Sequence, residues 1–362
     1  MAFVKTTITG GATELLNKLR DFAVSCSWSV LVETDDLPID GTATVDGRRL
    51  VIKSPDGTVF ASFRSAKGKK IFPTQINTTN AHGLGLVCSS GFVEHPPSGL
   101  WYDQPGATKA VSQEVIGVGI PVHPTNEQAV YFNHIVEPTE LIVISVEVVP
   151  GVFQHMAVGQ TQKIGSWTGG TIYSASRNSY FMFTAGFTKG QIEAESNHLF
   201  GLSKAASTFL RCDIDSAPLR TPEVLWASGG QNAGDVSTGY TGKVIGLPVA
   251  NIDCINAGWF PKIPHYGYLQ SQTSADTGRN VNTLNCITVN LPLAVYVLRD
   301  PDGLANFSQC GYVPGVYFIS TRNVAPAQTY TINYPESGTL YQAFPQTSRG
   351  GPMGYDGISI KQ

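Results

Sequence analysis

The chain has 362 residues, a formal net charge of −3 and a charged fraction of only 14%. That length holds one or two domains with a core large enough to need neither metal nor disulfide, and a hydrophobic content of 42% excludes disorder throughout. No basic patch argues for nucleic-acid binding, and no run of about eighteen apolar residues offers a membrane-spanning helix.

Residues 13–25 carry the clearest helical stripe. Leu15, Leu16, Leu19, Phe22 and Ala23 recur at helical spacing, with Glu14, Lys18, Arg20 and Asp21 mostly off it. Thr13 is the expected N-cap. Strand patterns follow at Trp28–Glu33, Arg49–Lys53, Thr58–Arg64 and Leu84–Val87, and Asp56-Gly57 marks a hairpin turn. Lys67-Gly68-Lys69-Lys70, the nearest thing to a basic run, reads as a solvated turn. Residues 1–100 thus read as a small α+β domain. Residues 101–126, with Pro105-Gly106, Pro121 and Pro124, read as a connector.

The strongest β signal comes next. Ala129–Val136, Leu141–Val149 and Val152–Gln160 form an expected three-strand meander, turned at Glu137-Pro138 and Pro150-Gly151. Ile142, Ile144, Val146 and Val148 share one face of the middle strand. Ser145 and Glu147 make the other face the wetter one. Residues 190–285 are less periodic and read as a loop-rich elaboration. Strands resume at Ala294–Leu298, Val316–Ser320, Thr329–Asn333, Thr339–Ala343 and Gly357–Lys361. The expected fold is mainly β. A small N-terminal α+β domain precedes an antiparallel β-sandwich or barrel-like domain over 127–362, whose late strands close the sheet begun near 129.

Cys26, Cys88, Cys212, Cys254, Cys286 and Cys310 show no CxxC spacing, and the opening Met1-Ala2-Phe3-Val4-Lys5-Thr6-Thr7 has no apolar signal core. Six reduced, mostly buried thiols are expected.

A search for chemistry returns weak candidates. None of the seven histidines forms an HxH or HxxxH pair. His134 and His155 sit on neighbouring expected strands, but two sheet-face histidines are commoner than a metal site. Cys254 with His265 resembles a nucleophile and base, yet nothing specific surrounds Cys254, and a buried thiol is the simpler reading. Glu193/Glu195 and Asp213/Asp215 would each share a strand face, as paired carboxylates do in glycoside hydrolysis; such pairs are usually solvated charges. The loop Gly165-Ser166-Trp167-Thr168-Gly169-Gly170-Thr171 lacks a P-loop lysine and reads as a turn with Trp167 packed over it. Trp259, Phe260, His265, Tyr266 and Tyr268 in the 259–268 region offer an aromatic patch for a sugar or partner, though core packing explains them as well. No catalytic, cofactor-binding or metal residue is therefore assigned.

Several segments stand out together by their texture. They are the helix over Leu15–Ala23 with Trp28-Ser29-Val30 and its strands, and Trp101-Tyr102-Asp103-Gln104-Pro105-Gly106-Ala107. The most specific stretch runs from Tyr131-Phe132-Asn133 through Ile142–Gly159 to Lys163-Ile164-Gly165-Ser166-Trp167-Thr168-Gly169-Gly170. Gly311-Tyr312-Val313-Pro314-Gly315-Val316-Tyr317-Phe318 and Tyr341-Gln342-Ala343-Phe344-Pro345 add to it. Together these segments resemble a family of tailed-bacteriophage virion structural proteins, a likeness of whole-segment texture without a catalytic signature. It implies a non-enzymatic, multi-copy tail or baseplate component that binds other virion proteins and copies of itself, without nucleic acid, membrane insertion or cofactor. The particle would be assembled in the bacterial host cytoplasm. The alternatives are a receptor- or carbohydrate-binding tail protein, a head decoration protein, or a cell-surface glycan hydrolase with two facing carboxylates in a cleft.

Overall fold

A computed structural model describes residues 1–35, 47–68, 71–72, 82–107, 117–178, 192, 199–200, 208–212, 226–229, 244–247, 287–298, 307–321, 323–332, 338–345 and 356–362. The first elements are β1 (Ala2–Ile8), helix α1 (Gly11–Ser25), β2 (Ser29–Asp35), β3 (Arg48–Lys53), β4 (Phe60–Lys67), β5 (His82–Ser89) and β6 (Val118–Pro121). Then come β7 (Gln128–Ile135), β8 (Leu141–Val149), β9 (Val152–Gln160), β10 (Gln162–Lys163), β11 (Gly169–Ala175) and β12 (Arg177–Asn178). The middle of the chain adds β13 (Thr208–Cys212), β14 (Trp226–Gly229) and β15 (Val244–Leu247). Last are β16 (Leu291–Leu298), β17 (Phe307–Ser320), β18 (Thr329–Ile332), β19 (Thr339–Pro345) and β20 (Asp356–Lys361).

The strands make three antiparallel sheets. The central one has the order β1-β7-β8-β9-β11-β13-β14. One face carries α1 and the sheet β12-β6-β5-β4-β3-β2; the other carries the sheet β15-β16-β17-β20-β19-β18, with β10 paired to β17. The middle sheet is therefore apolar on both sides. Along β8, Ile142, Ile144, Val146 and Val148 enter a core with Leu15, Leu19, Leu50, Phe63 and Leu86. Leu141 and Val143 enter a second core with Val295, Phe318, Phe344, Ile358 and Ile360. Burying each of these aliphatic side chains contributes roughly 1.5–3 kcal/mol.

This corrects the expected wet face of β8. Ser145 lies on it and is fully buried, because a second sheet covers that side. The late strands also differ from expectation. They do not close the sheet begun near 129; they form their own layer and pack against it. Within the 190–285 elaboration, β13 and β14 extend the central sheet, and β15 pairs with β16.

Residues on either side of position 100 share a sheet and a core. β1 pairs with β7 from Ala2↔His134 to Ile8↔Gln128, while β6, inside the expected connector, pairs with β5. Phe22 of α1 stacks on Phe132 of β7, ring centroids 5.2 Å apart. The helix starts at Gly11 rather than Thr13, and Thr13 is no cap: its hydroxyl meets Ser65 at 3.0 Å. Glu14 instead reaches back to the backbone N–H groups of Thr9, at 2.8 Å, and Gly10. An acidic side chain there also suits the positive end of the helix dipole.

Two glycines are required by geometry. Gly57 holds φ +76° in the β3–β4 turn, where the hairpin signal placed it. A Cβ on Gly311 would lie 2.3 Å from the carbonyl oxygen of Gln162, so the β10–β17 contact admits no side chain.

Candidate functional site

The structure separates the candidate histidines. His134 lies on β7 and His155 on β9, with β8 between them. They also face opposite ways. His134 is level with Ile142 and Val158 of the first core, whereas His155 is ringed by Phe153 and Phe344 of the second. His134 Nε2 meets the carboxylate of Glu140 at the foot of β8, a local hydrogen-bond contact. Glu193/Glu195, Asp213/Asp215, Cys254/His265 and the aromatic 259–268 region lie outside the described residues. Among the described residues, no group of three or more histidine, cysteine or carboxylate side chains converges as a metal would require.

The loop after β10 turns the chain as expected, although Gly169–Thr171 already belongs to β11. Trp167 donates its indole N–H to the Cys310 carbonyl at 3.1 Å. Lys163 lies 4.9 Å from the centroid of that ring and donates to the Trp167 carbonyl at 3.0 Å. The ring thus ties the central sheet to β17.

The most chemically suggestive pair was not foreseen. Ser145 and His155 lie directly opposite in the β8–β9 register, with Oγ 2.9 Å from Nδ1. His155 Nε2 is 3.2 Å from the Pro345 carbonyl oxygen. That carbonyl can only accept, so the ring carries its proton on Nε2, and Ser145 donates to Nδ1. A serine hydroxyl on an imidazole is the arrangement of a nucleophile and its base. Here the pair is sealed. Ser145 is 0% and His155 1% exposed, and Phe344 packs edge-on against both Phe153, at 5.4 Å, and His155, at 5.8 Å. A substrate carbonyl has no approach to Oγ. What the pair does is join β8, β9 and β19 across two layers by satisfying buried polar groups. The turn at Pro150-Gly151 alone would place 145 opposite 156; a register shift between Glu147 and Val149 moves His155 opposite Ser145, and no sequence signal announced it.

The surface offers a different feature. β1 is the terminal strand of the central sheet, and its side chains from Phe3 to Lys5 are exposed. Phe3 is 37% and Val4 43% exposed, with Met1 and Val136 also exposed. Phe3 stacks on Tyr131 at 6.4 Å, and Lys5 Nζ lies 5.4 Å from the centroid of the same ring. The sequence signal was the β-branched run up to Ile8, ended by Gly10-Gly11.

No protein-family model matches the chain, and no curated protein matches it.

Proposed function

We propose that this chain is a structural component of a tailed-phage particle, in its tail or baseplate. It acts through protein–protein interfaces in a multi-copy assembly with other virion proteins and copies of itself, and it performs no chemistry. One observation carries the reading. The segments whose texture resembles virion proteins, 131–170 and 311–345, are packed against each other. Tyr131, Leu141, Val143 and Phe153 from the first meet Val313, Val316, Phe318 and Phe344 from the second in one core. β10 also pairs with β17 through Gln162↔Tyr312 and Lys163↔Gly311. The resemblance therefore falls on a single two-layer body, as expected when segments share a structural role. The buried Ser145–His155–Pro345 link and the Trp167–Cys310 bond serve the same end, holding layers in fixed relation. Such rigidity suits a part that transmits load between neighbours. A low charge density fits as well, since burying charge at an interface costs desolvation energy.

Mass spectrometry of purified particles from the native host, with copy number by density mapping, tests the proposal. The chain is expected in several copies, with at least one interface above about 1,000 Å². Its absence from particles would overturn the proposal, as would a purified monomer that cleaves a glycan or peptide.

A further inference from the structure

We infer that β1 is a docking edge for β1 of a second copy of this chain, paired antiparallel about a two-fold axis at Val4. The choice of a second copy rests on the multi-copy assembly proposed above; the open edge does not.

The edge is open in hydrogen-bonding terms. β1 pairs with β7 on one side only, and none of its backbone groups between Ala2 and Ile8 bonds to anything else among the described residues. A strand with one row of bonds unmade is a template for another strand. Other sheet ends are guarded. β2 is interrupted by a bulge between Val30 and Val32, and its outer half carries Glu33 and Asp35, both paired with Arg48. β18 is only four residues long. β1 has seven residues, a continuous register and one charge, Lys5, and it exposes Phe3 and Val4. Bulges, charges and shortness are the usual defences of an edge, and β1 has no bulge, a single charge and a full seven residues.

The occupant follows from the strand's own pattern. A two-fold axis normal to the sheet keeps each face continuous, so some residue must stand opposite itself. With Val4 at the axis, two exposed valines meet. Phe3 then stands opposite Lys5 of the second copy, and Ala2 opposite Thr6. Each Lys5 would lie between its own Tyr131, which it already approaches at 5.4 Å, and the other copy's Phe3. A cation flanked by two rings is favourable. Moving the axis to Lys5 would oppose two like charges, moving it to Phe3 would shorten the pairing, and moving it to Thr6 would leave the exposed Phe3 outside the paired span and set Val4 opposite the buried Ile8. The Val4 register is thus the self-complementary one. It would join two central sheets into one continuous sheet of fourteen strands, twice the seven of one copy.

The test uses the purified full-length chain, with no particle present. Sedimentation velocity up to about 100 µM should show a reversible dimer. Val4→Lys should weaken dimerisation by about tenfold or more, because it opposes two charges. Its thermal melt should stay unchanged, since Val4 is exposed. Val4→Cys should cross-link under mild copper-catalysed air oxidation, because facing strand Cα atoms lie about 4.5–5.5 Å apart, within disulfide reach. Thr7→Cys should not, because six residues of offset put its two copies roughly 20 Å apart. The wild-type chain sets the background from native cysteines. A chain monomeric at every concentration, a dimer indifferent to Val4→Lys, or equal cross-linking of the two cysteine variants would each overturn the inference. Those results leave the virion role to be judged by particle composition. Absence from particles, conversely, overturns that role and leaves the β1 pairing to stand on these measurements.

Discussion

Ser145 and His155 face each other across β8 and β9, hydroxyl to Nδ1 at 2.9 Å, with no solvent reaching either. On the far side of the ring stands a carbonyl of another layer, at Pro345. A polar pair this deep is costly if broken and modest if kept.

That asymmetry predicts a coupling. Ser145→Ala should cost about 1–3 kcal/mol, because it leaves a buried ring nitrogen without its donor. His155→Phe should cost a similar amount. The double variant should be less damaging than the sum of the two, by roughly 1 kcal/mol or more, in a double-mutant cycle of chemical denaturation. Strict additivity would show that the contact contributes nothing.

Asn133 is the opposite case. It is buried on β7, and neither amide atom has a hydrogen-bond partner. Asn133→Leu should raise stability by about 1 kcal/mol by removing an unpaid desolvation penalty. A lower Tm for this variant would mean that the amide is bonded in solution.

Ile144 tests the core. It is buried between the central sheet and α1. Ile144→Asp should cost more than about 4 kcal/mol, enough to prevent soluble expression. A soluble, folded Ile144→Asp variant would contradict the packing of β8.

The thiols give a further check. Cys26, Cys88 and Cys310 are free and buried; the side chains of Cys212, Cys254 and Cys286 lie outside the described residues. Burial pushes the Cys26 thiol up and the Cys88 thiol well above its usual range, so both should react slowly in the native chain. Denatured without reductant, the chain should titrate six thiols. A count of two or fewer would show disulfides.

Acid sensitivity should come in two stages. Burial lowers the pKa of His123, whose Nδ1 accepts the N–H groups of Thr125 and Asn126. Its folded value lies below its unfolded one, so its contribution is full above the ordinary 6.5 and declines as pH falls below that. Burial raises the Asp56 carboxyl, but hydrogen bonds from Ser54 and Thr58 outweigh it and leave a lowered value. Its contribution is full above the ordinary 3.8 and is lost as pH falls through the folded value. Asp56→Asn should flatten the lower stage in urea titrations across pH, and His123→Gln the upper one.

Much of the fold is local, and the sequence by itself determined it. The α1 stripe, the Asp56-Gly57 hairpin and the 128–160 meander follow from periodicity and turn chemistry, which act over a few residues. Turn position fixed the hairpin only as far as Val149↔Val152; the irregularity between Glu147 and Val149, which sets the 145–155 register, was not legible. What only the tertiary structure decided was where each face goes. Ser145 looked wet because a strand's polar face normally meets water; a sheet formed more than a hundred residues later covers it. β1 carries a β-branched run, but its partner β7 lies over a hundred residues away, so its place in the central sheet had no local signal. Long-range pairing is selected by the sum of many weak contacts and loop-closure costs, and no local pattern encodes that sum.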